Sequence, residues 1–211
     1  AQPSFTLPAG TYAAELTIDG QHFSDQVTIA DGDDREQIVK LPASRLQLTA
    51  RLGSNGPIID KWQLTNWSWK RASETDFNDG QTLIEPTPEI VVMPGRWTVR
   101  LKSGSTEAVR EVDAKPGETQ PVVVDVDGGL VTLTGVPRSP QNVYIRVVRD
   151  GDDPKSGPAV VDIGTGDDGA HETLLPSGKY RATMKTSDGE ARDKAFEVIA
   201  GSQQTVTIEL P

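Results

Sequence analysis

One short motif occurs three times in the chain and determines its organisation. Each copy combines a proline and a glycine with a following aromatic residue, and the copies are Leu7–Tyr12, Met93–Trp97 and Leu175–Tyr180. The motif glycines are Gly10, Gly95 and Gly178, which sets a period of about 84 residues. That period is too long for a solenoid repeat and close to the size of a small all-β domain. The chain is therefore predicted to consist of tandem copies of one β module.

The stretch after each motif has the alternation of a half-buried strand. Apolar residues stand at every second position, with polar residues between them. In the two later copies these residues are Trp97, Val99 and Leu101, and Tyr180, Ala182 and Met184. A glycine turn and two further apolar runs follow, ending near Val126 and Leu210. We predict three antiparallel strands with short connections in each copy.

The first half of the repeat contains another pair of matching strands. Asn66–Lys70 aligns with Asn142–Arg146, which puts Trp67 at the place of Val143 and Trp69 at that of Ile145. Residues 71–89 and 149–172 are rich in Gly, Asp, Pro and Ser, and predict loops with one or two short strands. A sustained helical period is missing from the sequence. The predicted fold class is all-β, with tandem Ig-like antiparallel β-sandwich modules and little or no helix.

The phase of the repeat predicts a half-module followed by two complete modules. The boundaries are residues 1–42, 43–127 and 128–211. Three strands with one uncovered face are marginal alone. Either the chain was cut from a longer array, or the half-module borrows strands from a neighbour or another molecule. In the second case the apolar face of Tyr12, Ala14 and Leu16 is an interface for self-association through residues 1–42.

Charge and composition exclude several classes of partner. The chain has 21 basic and 31 acidic residues, a formal net charge of −10. No basic stripe is present to release counterions, so nucleic acid is not an expected partner. The sequence has no cysteine for disulfides or thiolate metal sites, and no apolar run long enough for a membrane helix.

The motif supports a family resemblance. Leu-Pro-x-Gly-x-Tyr, an alternating strand, a turn and Val-x-Ile-x-x-Gly resemble carboxypeptidase-regulatory-like, transthyretin-like and PEGA-type β modules. The pattern is also similar to the tandem Ig-like repeats that follow von Willebrand A domains in some bacterial envelope proteins. The resemblance covers essentially the whole chain. It implies a seven-strand sandwich that serves as a spacer or docking module in a periplasmic, cell-surface or extracellular bacterial protein. Such modules carry no catalytic residues, and Trp97 departs from their usual tyrosine.

Acidic turns are the candidate metal ligands. Asp125 and Asp127 stand at the junction of the two complete modules, where a calcium ion could stiffen the linkage. Asp-Gly pairs are also the ordinary residues of tight turns. Calcium is therefore the minor interpretation, and no other cofactor is predicted.

The tryptophans are the candidate ligand-binding residues. All four, Trp62, Trp67, Trp69 and Trp97, belong to the middle module. Aromatic platforms can stack on sugar rings, so Trp62, Trp67 and Trp97 are candidate contacts for a glycan or the cell wall. Sandwiches commonly bury tryptophan, however, and the alignment of Trp67 and Trp69 with aliphatic residues favours the core. Trp62 has no aligned partner and is the one expected to be exposed.

The sequence carries no recognisable catalytic constellation. His22 and His171 lie near predicted turns in different units, and a Gly-x-Ser-x-Gly elbow, a phosphate loop and a dinucleotide fingerprint are all missing. The predicted function is non-catalytic: a spacer or protein-docking module of a larger exported bacterial protein. The alternative is carbohydrate or cell-wall binding. A third hypothesis is docking of a protein partner by strand addition along an edge in residues 1–42.

Overall fold

The computed structural model describes residues 5–18, 21–33, 42–77, 82–136, 143–165, 170–186 and 191–209. Within these ranges the only helical element is a 3-10 turn at Trp62–Leu64, and no helix is long and apolar enough to cross a membrane. The strands are β1 (Gly10–Ile18), β2 (Gln21–Ile29), β3 (Ser44–Leu52), β4 (Asn66–Arg71), β5 (Thr82–Leu83), β6 (Glu89–Val92), β7 (Gly95–Ser103), β8 (Thr106–Ala114), β9 (Thr119–Val126), β10 (Gly128–Val136), β11 (Val143–Arg149), β12 (Ala159–Thr165), β13 (Ala170–Pro176), β14 (Gly178–Lys185), β15 (Ala191–Val198) and β16 (Gln203–Glu209).

Strands β3 to β9 form a two-layer sandwich. One sheet has the order β6-β3-β9 and the other β5-β4-β7-β8. Leucines at alternate positions of β3 face the apolar side of β4 and β7, because alternate residues of a strand point to the same face. The two facing sheets bury one continuous core, here called the first core.

Strands β10 to β16 repeat the same arrangement around a second core. Their sheets have the orders β13-β10-β16 and β12-β11-β14-β15, so each sandwich has seven strands split three and four. The all-β sandwich prediction is confirmed. The predicted domain boundaries stay a prediction. The buried residues of the two cores fall on either side of residue 127, except that Leu174 belongs to the first core, against which Leu130 also packs.

The described residues of the N-terminal part form a hairpin. β1 and β2 pair antiparallel from Gly10 opposite Ile29 to Ile18 opposite Gln21. The third strand expected at residues 37–41 lies outside the described residues. Tyr12, Ala14 and Leu16 fall on one face of the hairpin, as the alternation predicted.

One predicted connection is wrong. The last strand of each complete unit was expected to continue an antiparallel meander after β8 and β15. Instead, β9 crosses to the opposite sheet and pairs parallel with β3, and β16 pairs parallel with β10 in the same way. The alternating side chains of β9 would enter the core whether β9 paired with β8 or with β3. The sequence pattern therefore could not predict which sheet β9 joins.

The predicted alignment of the two units is also shifted by two residues. Arg71 lies opposite Trp97, and Arg149 lies opposite Tyr180. This register makes Trp67 the counterpart of Ile145, and Trp69 that of Val147. Because side chains alternate with period two, a two-residue shift keeps the same residues on the buried face. The prediction that both tryptophans enter the core is therefore confirmed despite the shift.

Candidate functional site

The repeated motif forms the same aromatic corner three times. The Tyr12 hydroxyl donates to the Pro8 carbonyl at 2.7 Å, and the Tyr180 hydroxyl donates to the Pro176 carbonyl at 2.8 Å. In the middle copy the Trp97 indole Nε1–H donates to the Met93 carbonyl at 2.7 Å. Every bond spans four residues. In the middle copy the indole therefore serves in place of the phenol.

Two of the three candidate sugar-binding tryptophans are buried. Trp67 is fully inaccessible, and Trp97 is 2% exposed. The Trp67 Nε1–H donates to the Glu85 carbonyl at 2.9 Å, so both its ring and its polar atom are engaged. Neither indole presents a face on which a sugar ring could stack. The predicted three-tryptophan platform is therefore not assembled.

Trp62 is the exposed member of the set, as the sequence indicated. It lies in the 3-10 turn and is 58% exposed. Ile58 in the same segment between β3 and β4 is 56% exposed, so this segment presents two large apolar side chains to solvent.

The aromatic ring of Phe77 lies on the outer face of the β5-β4-β7-β8 sheet, a feature that the sequence analysis did not predict. Lys70 Nζ lies 5.0 Å and the Arg100 guanidinium 4.0 Å from the Phe77 ring centre. Arg100 Nε also donates to the buried Ser68 hydroxyl at 2.9 Å. Phe77 therefore partly covers this basic face of the sheet. An aromatic residue inside a stretch predicted to be loop was the available signal.

The acidic pair at the junction is held by protein partners. Asp125 Oδ1 accepts from Arg51 Nε at 2.8 Å, and Asp127 Oδ1 accepts from the Ser177 hydroxyl at 2.8 Å. Across the described part of the chain, no group of three or more His, Cys, Asp or Glu side chains is placed to hold a metal ion. Calcium at Asp125 and Asp127 stays a prediction.

The two histidines lie on different elements, β2 and β13. His22 lies on the exposed, polar face of β2, where its Nδ1 is 3.1 Å from the Thr17 hydroxyl. His171 on β13 is half-buried, and burial lowers the pKa of its imidazole while the Glu172 carboxylate acts in the opposite direction. The structure does not bring the two histidines together.

The connection between the two sandwiches is one residue long. β9 ends at Val126 and β10 begins at Gly128, so only Asp127 separates the two strands. A Cβ on Gly128 would lie 2.3 Å from the Leu175 carbonyl oxygen, and one on Gly129 would lie 2.7 Å from the Ser202 hydroxyl. Both glycines are buried. They allow close backbone approach and do not form a flexible linker.

Two side chains of the second sandwich reach the first core: Leu174 is fully buried in it, and Leu130 on β10 is partly buried against it. Leu174 on β13 is fully buried among the residues of the first core, whereas the adjacent Leu175 belongs to the second core. The buried Thr106 hydroxyl donates to the Leu174 carbonyl at 2.9 Å. At the rim, Lys61 Nζ pairs with Glu172 at 2.5 Å. We call these contacts, together with Asp127 and Gly128, the junction.

A cleft of about 270 Å³ opens at the edge of the junction. Its apolar wall includes Leu52, Ile58 and Leu130, and its polar groups include Asp60 and Glu172. The cleft therefore combines residues of both sandwiches, with Trp62 in the turn beside it.

Known proteins resemble this chain only at the level of the structure. No family model matches the chain, and no curated protein matches it. The Bacillus anthracis TIE protein aligns over 94% of this chain with 14% identity and a TM-score of 0.31, and the chain spans 42% of that protein. The minor pilin GBS52 of Streptococcus agalactiae aligns over 79% of this chain and 94% of its own, with 14% identity and a TM-score of 0.29. A putative cell adhesion protein of Bacteroides thetaiotaomicron aligns over 80% and 92%, with 12% identity and a TM-score of 0.37.

Proposed function

We propose that the chain is a non-catalytic, stiff spacer within a larger exported bacterial protein. The observation that carries the proposal is the junction, where Leu174 of one sandwich completes the core of the other. The bacterial and envelope setting rests on the resemblance of the repeated motif to modules of that kind.

The junction opposes bending for a physical reason. Moving one sandwich relative to the other would withdraw Leu174 from the first core and expose it, at a cost of about 2 kcal/mol. The same motion would break the buried bond from Thr106 to the Leu174 carbonyl. The exposed Lys61–Glu172 pair adds little to this resistance. A one-residue connection leaves no slack to absorb the motion.

Distance measurements between spin labels test the stiffness. The chain has no cysteine, so Glu111→Cys on β8 with Lys194→Cys on β15 gives one labelled pair across the junction. A pair within one sandwich, Gln47→Cys with Glu111→Cys, measures the width that the labels themselves contribute. We expect the distance distribution across the junction to be about as narrow as that control.

A variant with three glycines inserted after Asp127 supplies the flexible reference. Its cross-junction distribution should broaden while the control pair stays narrow. If the unmodified chain is as broad as the insertion variant, the two sandwiches move independently and the spacer is not stiff.

A second candidate function is carbohydrate binding at Trp62. The favouring observation is the exposed indole of Trp62, in the same 3-10 turn as Leu64, which lines the cleft together with the carboxylates of Asp60 and Glu172. Apolar stacking combined with a few polar groups is the usual composition of a small-ligand site. This candidate needs only Trp62 of the three tryptophans predicted from the sequence.

Fluorescence quenching separates this candidate from the spacer alone. The other tryptophans are buried, so acrylamide acts chiefly on Trp62. A cell-wall glycan that protects the emission from quenching supports binding, and Trp62→Ala should abolish binding of that glycan measured by isothermal titration calorimetry, which does not depend on the indole as a reporter. Unchanged quenching across a panel of glycans would leave the spacer without this second role.

A further inference from the structure

The N-terminal hairpin is a third copy of a hairpin that occurs in both sandwiches. β1–β2 corresponds to β7–β8 and to β14–β15, because all three begin with the same aromatic corner. Their registers also agree: Tyr12 lies opposite Val27, Trp97 opposite Val112 and Tyr180 opposite Phe196. The structure therefore shows the same unit in three settings.

The settings differ at one edge. In the two sandwiches the first strand of the hairpin pairs on its other side as well, β7 with β4 and β14 with β11. Among the described residues β1 pairs only with β2. Burial differs as well: Leu16 is 47% exposed, whereas Leu101 and Met184, which also face the opposite sheet of their sandwich, are 1% and 0% exposed. Phe23, opposite Leu16 on β2, is 3% exposed, so the part of this face nearest β2 is already covered.

The strands that occupy this edge in the sandwiches share a side-chain pattern. Each has two apolar residues and an arginine at alternate positions: Trp67, Trp69 and Arg71 in β4, and Ile145, Val147 and Arg149 in β11. The arginine faces the corner aromatic in both. The Arg71 guanidinium lies 5.0 Å from the Trp97 ring, and that of Arg149 lies 5.8 Å from the Tyr180 ring.

β1 offers the complementary positions. In the shared register Tyr12 takes the place opposite the arginine, and Ala14 and Leu16 take the places opposite the two apolar residues. Charge agrees with this fit, since residues 1–33 contain no lysine or arginine. Their acidic residues are Glu15, Asp19, Asp25, Asp31 and Asp33. An arginine on an incoming strand would therefore meet an aromatic ring, on a hairpin whose described residues carry acidic side chains and no lysine or arginine.

We propose that β1 binds an antiparallel strand of a partner protein with the pattern apolar-x-apolar-x-Arg. Backbone bonds along the edge would supply affinity, and the three alternating side chains would supply selectivity. The incoming strand would pair with β1 and help to cover Leu16. This inference does not depend on a stiff junction, and either can fail without the other.

A labelled peptide tests the proposal on the intact chain. The probe is Asn142–Asp150, the sequence of β11 with one flanking residue on each side, followed by fluorescence anisotropy. We expect saturable binding and protection of the amides of residues 11–17 from hydrogen exchange. Replacing the peptide arginine equivalent to Arg149 by alanine should weaken binding about threefold, the size of one exposed cation–π contact.

Two matched variants of the chain locate the binding. Ala14→Asp places a charge on the apolar face of β1, and Ala13→Asp places the same charge on the opposite, polar face. Ala14→Asp should weaken peptide binding at least tenfold, and Ala13→Asp should leave it nearly unchanged. Ala14→Asp could also unfold the hairpin. The peptide in which alanine replaces the arginine equivalent to Arg149 tests the same contact on the unmodified chain, where the hairpin is intact.

Several outcomes would overturn the proposal. One is absence of saturable binding up to millimolar peptide, and another is binding that does not distinguish the arginine peptide from the alanine peptide. Protection of amides elsewhere than in β1 would place the peptide at a different edge. Concentration-dependent dimerisation of the chain that excludes the peptide would make a second copy the occupant in place of a partner protein.

Discussion

At the residue scale, the repeat keeps a hydrogen-bond donor and not one amino acid. Tyr12, Trp97 and Tyr180 differ in chemistry, yet each donates to the carbonyl four residues before it. Trp97 departs from the usual tyrosine of the modules that the motif resembles. Its burial and its bond to Met93 show that the indole performs the ordinary task of the corner.

The buried tryptophans of β4 differ in one respect that a matched pair of substitutions can measure. Trp67 Nε1–H donates to the Glu85 carbonyl, whereas Trp69 Nε1 has no partner among the described residues. Trp67→Phe and Trp69→Phe remove the same atoms. We expect Trp67→Phe to lower the free energy of unfolding by about 1 kcal/mol more, the net value of one hydrogen bond. Urea unfolding followed by circular dichroism measures the stability of the two variants. Equal losses of stability would mean that the hydrogen bond from Trp67 to Glu85 contributes nothing.

Tyr180 gives a prediction about pH. Burial raises the pKa of its phenol above the ordinary value of about 10, with Arg149 acting in the opposite direction. The folded state therefore holds this proton more tightly than the unfolded state. Its contribution to stability is complete below about pH 10 and is lost as pH rises through the folded pKa. Unfolding free energies measured from pH 9 upward should fall more steeply for the natural chain than for Tyr180→Phe. Parallel curves would rule this out.

At the element scale, the strands were more predictable than their partners. Alternation located β7 and β14 and their buried residues, because burial depends only on which face a side chain takes. The parallel pairing of β9 with β3 could not be predicted, since both possible sheets bury the same face. The edge strands β8 and β15 carry Arg110 and Lys194 at core-facing, exposed positions. Such inward charges discourage edge-to-edge association.

Two glycines in strands should respond differently to the same substitution. A Cβ on Gly128 would lie 2.3 Å from the Leu175 carbonyl oxygen, so the backbone must shift to accept it. Gly164 on β12 has no atom of the described residues within 4 Å of such a Cβ. Gly128→Ala should lower the free energy of unfolding by about 2–3 kcal/mol, and Gly164→Ala should be neutral or slightly stabilising. Thermal unfolding of both variants is the measurement; a tolerated Gly128→Ala would show that the connection has slack.

At the scale of the whole molecule, the sequence revealed the repeat but not how the copies are joined. Leu174 and Leu175 are adjacent, both are leucine and both are fully buried, yet they belong to different cores. No periodicity distinguishes them, because the choice depends on where the end of one sandwich meets the other. The candidate site shows the same limit. The exposure of Trp62 was predicted from its lack of an aligned partner. The cleft lined by its chain neighbours Lys61 and Leu64 could not be predicted, because residues of the second sandwich form its other wall.

The adjacent leucines provide the test of coupling between the sandwiches. All four tryptophans lie between residues 62 and 97, so tryptophan emission during unfolding reports on the first core alone. Leu174→Ala leaves a cavity in that core and should lower the stability reported by tryptophan by about 2–5 kcal/mol. Leu175→Ala leaves its cavity in the second core and should act mainly on the transition seen by circular dichroism, with a smaller effect on tryptophan emission. If Leu174→Ala leaves the tryptophan transition unmoved, the two cores do not share this side chain in solution. Equal effects of the two variants on both signals would instead mean that the sandwiches unfold as one unit.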